Sequence, residues 1–408
     1  MKLLRFYTDS YKGLSAESWM LAIVMLINRS GSMVLPFLGV YMTDHLGFKL
    51  ETTGLILSCY GLGSVIGSWA GGMLTDRIGE FKTQYISFFL SVPVFCLMPL
   101  FTNETSLALI MLTQSSISEM FRPANSVAIT KYAKKGNLTR SFSLNRMAVN
   151  LGFSIGPALG GILSAISYDF LFYSNAAAAL LAGITYVAFF RSRNRKRNLV
   201  KKQKVQSDIS PYKDHRFVVF AVLCMLFSVC FFQLLNTLPI FYKSVAGLSQ
   251  QQIGFVLGYS GIFIVLTEMV LVHIAETRLK IGTTLLLGAV FAGIAYAMLG
   301  WLFTLPFLFL SITILSLGEI WAFPFMSSVT ALRSGQNNQG AYMGLLGIGF
   351  SVSFIITPYL GTFIAQEYGF QALWAGTGII LALTGIGFYF QIPVLLRDEK
   401  KVKSTVDF

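Results

Sequence analysis

Six charged side chains stand inside stretches otherwise apolar enough to cross a membrane: Arg29, Glu119, Arg122, Arg146, Glu268 and Glu319. An ionised group at the centre of a bilayer costs about 3 kcal/mol or more, so such residues face a cavity or a partner and mark ion or substrate paths. Glu119 and Arg122 lie three apart, on one face of a helix and within pairing reach. A carboxylate desolvated in an apolar span holds its proton nearer neutral pH, whereas a nearby guanidinium favours ionisation. A pair that can part can therefore take up and release a proton. Buried ion pairs that merely lock helices together are the plainer reading for Arg122 and Arg146.

The elements that must position these groups follow from composition. The 408 residues are 54% hydrophobic, 14% aromatic and only 12% charged, with a mean hydropathy of +0.66, whereas a soluble domain carries about 25% charged residues. A helical span takes about 20 residues, so the chain has room for about twelve spans and no soluble catalytic domain. An enzyme is not expected. The punctuation predicts helices near 18–43, 52–75, 82–102, 105–133, 139–166 and 169–191, then near 216–243, 250–276, 280–303, 305–333, 338–366 and 369–395. The expected fold is an all-α membrane protein of twelve transmembrane helices in two pseudo-symmetric six-helix bundles. The expected divisions are an N-terminal bundle at 1–190, a basic cytoplasmic linker at 191–215 and a C-terminal bundle with a short tail at 216–408.

The net charge of +13 is set by topology, not by a nucleic-acid partner. Apart from Lys49 and Lys243, and Arg29, Arg122 and Arg146 within spans, every Lys and Arg falls on one side, which the positive-inside rule makes cytoplasmic along with both termini. The run from Arg191 through Lys201, Lys202 and Lys204 to Pro211 reads as a solvated linker at the anionic inner leaflet, with lipid binding or regulation as the alternative. The first apolar stretch follows Lys2, Arg5 and Lys12, lacks a small-residue cleavage site and is read as a retained span. Cys59, Cys96, Cys224 and Cys230 show no C-x-x-C pairing, and are expected to be buried, reduced packing residues. No metal site and no cofactor are expected.

An internal repeat appears at a spacing of about 200 residues. Leu35-Pro36 answers Leu238-Pro239, Gly54 answers Gly254, Gly61 answers Gly261 and Asp76 answers Glu276. Ser118-Glu119 before Pro123 answers Gly318-Glu319 before Pro324, and Pro157 answers Pro358. Six spans are therefore duplicated in the same orientation, as in transporters built from parallel repeats.

Between the second and third spans lies Gly71-Gly72-Met73-Leu74-Thr75-Asp76-Arg77-Ile78-Gly79-Glu80-Phe81-Lys82. Glycines allow close helix approach, Asp76 can accept backbone N–H groups of a neighbouring helix, and Arg77 and Lys82 hold the turn on the cytoplasmic side. The order G-x-x-x-D-R-x-G-x-x-K, with Gly72, Asp76, Arg77, Gly79 and Lys82, resembles the signature loop of the major facilitator superfamily of secondary transporters. The resemblance covers essentially the whole chain and implies two six-helix halves, alternating access, and a loop that stabilises the outward-facing state. The second copy, Ala275-Glu276-Thr277-Arg278, has lost its glycines.

Span 5 contains Gly152, Gly156, Pro157, Gly160 and Gly161 in a pattern that resembles the G-x-x-x-G-P-x-x-G-G motif of drug and proton antiporters in that superfamily; close packing of helices is the plainer account. Two departures stand against a simple assignment. The R-x-x-Q-G pattern of span 4 is absent around Gln114, and of the E-x-x-E-R motif of proton-coupled peptide carriers Asn28-Arg29 keeps only the arginine.

The sequence thus points to a small-molecule carrier in the bilayer, coupled to protons. Glu119, Glu319 and Glu268 are the candidate proton carriers. The candidate substrate or relay residues are Arg29, Arg122, Arg146, Asn28, Gln233, Asn236, Trp321 and Tyr60, with Glu268 expected to meet Gln233 and Asn236. Efflux by exchange, as in the antiporter branch, leads. Proton symport of a small anionic or zwitterionic solute such as a peptide is the alternative, and a non-transporting membrane sensor the remote one. A monomer in the inner membrane of a bacterium is expected.

Overall fold

A computed structural model describes residues 2–32, 34–164, 166–198, 209–335 and 337–406; Lys201, Lys202 and Lys204 of the linker lie outside them. Among these residues all regular structure is helical. The first half contains α1 (Lys2–Tyr11), α2 (Ala16–Ser30), α3 (Val34–Val40), α4 (Leu50–Ile78), α5 (Glu80–Leu97), α6 (Glu104–Glu119), α7 (Phe121–Tyr132), α8 (Leu138–Ser164) and α9 (Asp169–Asn198). The second contains α10 (His215–Phe231), α11 (Thr237–Ser244), α12 (Gln250–Arg278), α13 (Ile281–Met298), α14 (Leu305–Arg333) and α15 (Gln339–Val406).

These helices make the twelve spans expected. Nine stretches of the described residues are singly long and apolar enough to cross a membrane. The first span (α2 and α3) and the fourth (α6 and α7) are broken, and α15 holds the eleventh and twelfth, parted at Gly369 where φ is +82°.

The breaks follow from proline. Pro36, Pro123 and Pro239 are each the third residue of the helix after a break, in α3, α7 and α11. A proline lacks the N–H that would bind the carbonyl four residues back and its ring crowds that carbonyl, but in the first turn of a new helix no such bond is needed. The carbonyls concerned belong to Ser32, Glu119 and Leu235, and there the first, fourth and seventh spans stop and restart. The fourth span had been expected as one helix; Pro123 ends it at Glu119. Pro324 at the equivalent place in α14 leaves that helix continuous.

The repeat is visible in backbone detail. α4 and α12 are both 29 residues long and start 200 residues apart. Before them the chain closes with the same bonds: Leu46 N to Tyr41 O and Phe48 N to Met42 O in one copy, Ala246 N to Phe241 O and Leu248 N to Tyr242 O in the other. Gly47 and Gly247 supply the positive φ, +71° and +67°, that this reversal requires. After α4 the offset becomes 201, because Gly79 at φ +89° reverses the chain in one residue whereas Leu279 and Lys280, at φ −119° and −77°, together take two.

Two compact units are present. One comprises residues 13–208 with 335–351, the other 1–12, 209–334 and 352–408. In the first, Gly63, Gly67 and Gly71 on α4 meet the backbone of Leu112, Ser116 and Met120, one turn apart each time, so that α4 and α6 pack in backbone contact. Ser15 caps α2 at Ser18 N and its hydroxyl donates to the Tyr132 carbonyl at 2.8 Å, while Lys131 pairs with Glu80. In the second, Asp214 caps α10 at Phe217 N and takes Arg333 Nε at 2.7 Å, and Arg333 Nη1 donates to the Leu395 carbonyl. Cys224 and Cys230 are buried, but Cys59 is half-buried and Cys96 exposed on an apolar helix face, which corrects the expectation for those two.

Candidate functional site

The break at Glu119 has a chemical result. It leaves Glu119 at the end of α6 and Arg122 in the first turn of α7, with Arg122 Nη2 2.8 Å from Glu119 Oε2. The carboxylate side chain is 8% exposed and the guanidinium 27%. Oε2 has no aligned hydrogen bond, so the contact is an ion pair by proximity. Arg29, in the last turn of α2, interacts favourably with Glu119 and unfavourably with Arg122, and the Tyr60 hydroxyl of α4 feels all three. The sequence-predicted group of Arg29, Glu119, Arg122 and Tyr60 is thus gathered in one unit. Asn28 precedes Arg29 and is half-buried, as is Arg146 on α8.

The α8 glycines explain how α2 comes close. A Cβ on Gly152 would stand 2.6 Å from Arg29 Cβ, and one on Gly156 would stand 3.3 Å from the carbonyl oxygens of Arg29 and Ser30. Gly161 is looser, with Phe37 Cζ at 3.8 Å. Gly160 is buried, and the side chain of Pro157 is outside what is described. Phe153, beside Gly152, holds its ring 5.5 Å from the Arg29 guanidinium. Sequence reasoning missed Phe153, because one aromatic in an apolar span carries no signal by itself.

At the end of α4, Asp76 accepts Gly340 N–H on Oδ1 at 2.7 Å and Ala341 N–H on Oδ2 at 2.8 Å. These are the unsatisfied first amides of α15, where the helix dipole also favours a negative charge. Gly72 packs on Gly340 and Gly344. Gly79 reverses the chain, and Arg77 and Lys82 are exposed. The receiving residues were legible: Gly340, Gly344 and Gly347 share one helix face, the pattern of a close contact.

In the other unit Glu319 and Glu268 are both buried, on α14 and α12, which pack together. Glu268 does not meet Gln233 and Asn236 as expected. Gln233 Nε2 donates to Thr377 Oγ1 at 2.8 Å and Asn236 Nδ2 to the Phe232 carbonyl, both near the break before α11. Glu268 instead lies within electrostatic reach of Tyr11 on α1, whose hydroxyl is raised by burial and by its bond to Tyr7. Trp321 donates to the Leu271 carbonyl and stacks on Phe291, which makes it a packing residue between helices. Among the described residues no group of His, Cys, Asp and Glu has the arrangement of a metal site.

Twelve spans in repeated sixes are the architecture of a multi-pass membrane protein. The sequence profile of the Major Facilitator Superfamily matches residues 20–312 and 282–407, and the chain belongs to that family. It is a transporter for small molecules and not an enzyme. It is similar to the MFS-type transporter YttB of Bacillus subtilis, 24% identical over 94% of this chain and 95% of that one. It is also similar to the multidrug resistance protein MdtH of Yersinia enterocolitica, 21% identical over 91% and 92%. Among solved structures, a bacterial homologue of the iron transporter ferroportin in an outward-facing state matches with a TM-score of 0.75, at 15% identity over 92% of this chain and 99% of that one.

Proposed function

We propose that this chain is a proton-coupled secondary active transporter of small organic solutes, a monomer in a bacterial inner membrane with both termini cytoplasmic. Its halves, 1–190 and 216–408, are joined by the linker 191–215 and work by alternating access. The observation that carries the reading is the Glu119–Arg122 pair: a carboxylate 8% exposed, 2.8 Å from a guanidinium across a proline-induced break. A desolvated acid whose counter-charge can be drawn away gains a proton, and loses it when the pair re-forms. Efflux by exchange with protons is supported by the α8 glycine motif and by the relatedness to MdtH.

A second reading, proton symport of an anionic or zwitterionic solute, is favoured by Arg29, which forms no ion pair among the described residues. The test is a pH-sensing dye trapped in vesicles of known orientation. Substrate that alkalinises energised inverted vesicles supports exchange, and substrate that acidifies right-side-out vesicles supports symport. No proton movement with any transported solute rejects both.

A further inference from the structure

The first six spans contain three interior arginines and one interior acid, Glu119. Glu119 is committed to Arg122 at 2.8 Å. Arg29 is left with a buried Nε that has no hydrogen-bond partner, and its guanidinium lies 5.5 Å from the centroid of the Phe153 ring. Arg29 stands in the last turn of α2, where the helix dipole favours a positive charge. A guanidinium that makes no ion pair in a low-dielectric span is costly, and an incoming anion lowers that cost. The Phe153 ring, 47% exposed, offers an apolar platform beside the charge.

We infer that Arg29 with Phe153 is a docking site for an amphipathic organic anion, the carboxylate on Arg29 and an apolar or aromatic body on Phe153. This rests on the second transport reading above. Glu119, the neighbouring negative charge, repels the ligand's carboxylate, so the anion binds best when Glu119 is neutral. Solute and proton then load together.

The experiment uses full-length protein in detergent and chloride-free buffer, titrated with three fluorescent probes sharing one body: dansylglycine, its uncharged amide, and the cationic dansyl-ethylenediamine. The acid is expected to bind at least tenfold more tightly than the amide, and the cation not to compete. Arg29→Gln should abolish that preference, Arg29→Lys should keep part of it, and Phe153→Ala should weaken acid and amide alike. Glu119→Gln should tighten the acid several-fold, the opposite of what a cation site would show. Equal affinity of the wild-type protein for acid and amide overturns the inference without recourse to any variant, as does an unchanged preference in Arg29→Lys and Arg29→Gln. Binding needs no gradient, so loss of proton coupling with acid preference intact would reject the transport reading alone. Proton-coupled transport of the cationic probe with no acid preference would reject the anion site alone.

Discussion

Gly72 and Gly340 meet backbone against backbone: a Cβ on Gly72 would stand 2.5 Å from the Gly340 carbonyl oxygen, and one turn further Asp76 holds the Gly340 N–H at 2.7 Å. The glycines bring the start of α15 within reach, and the carboxylate then holds it by two charge-assisted bonds. Neither feature works without the other, since a side chain at either glycine moves the amides away from the acid.

Asp76→Asn keeps the shape and removes the charge. Hydrogen bonds to a charged group contribute about 1.5–3 kcal/mol each, so the variant should lose much of that hold while remaining inserted. Hydrogen exchange at Gly340 and Ala341 should speed by tenfold or more, and transport should fall. Unchanged protection of those two amides would show that the carboxylate is not what holds them.

Gly152 and Gly161 lie on the same helix but differ in room. Gly152→Ala drives a methyl into Arg29 and its backbone, an overpacking that costs about 1–3 kcal/mol, and should lower the melting temperature. Gly161→Ala should be neutral to within about 0.5 kcal/mol. Equal melting temperatures for the two variants would contradict the packing described.

Glu119→Gln and Glu319→Gln separate the roles of the two acids, which the 201-residue offset after α4 sets one position apart in the repeats. Each variant, in proteoliposomes with and without a pH gradient, is expected to lose gradient-driven accumulation while downhill exchange persists. Full accumulation in both would shift the proton to Glu268, the remaining acid within a span.

Orientation is open to direct measurement. Reporters fused after Lys202 and after Phe408 should register cytoplasm, and one inserted near Lys49 the outside, because the basic residues collect on one side. A reporter after Lys202 found outside would overturn the map.

Much of this architecture was legible because its signals are local. Apolar length gave the spans, the 200-residue echo gave the duplication, and three-residue spacing gave the Glu119–Arg122 pair. The break between those two residues was not foreseen, although Pro123 announces it: whether a proline breaks a buried helix depends on packing, as the unbroken α14 at Pro324 shows. The partners of Glu268 were misassigned for a related reason. Gln233 and Asn236 sit at a break, and the turn there directs them to Thr377 and to a carbonyl of their own chain. Burial of Cys96 was inferred from apolar surroundings, which in a membrane describe the outside of a helix as well as its inside.

The extra residue after α12 bears on what chain-length changes such a protein tolerates. Inserting one residue in a helix rotates all that follows by about 100°. Here the insertion falls between helices, and the phase survives: the buried faces of α5 at Thr83, Gln84, Ser87, Phe88 and Ser91 and of α13 at Thr284, Leu285, Gly288, Ala289 and Ala292 superpose with one constant shift. Loops without a glycine latch can absorb single-residue drift between the copies, whereas the same change inside α12 ahead of Glu268 would rotate that acid out of its buried position relative to the start of the helix, where Phe255 is exposed.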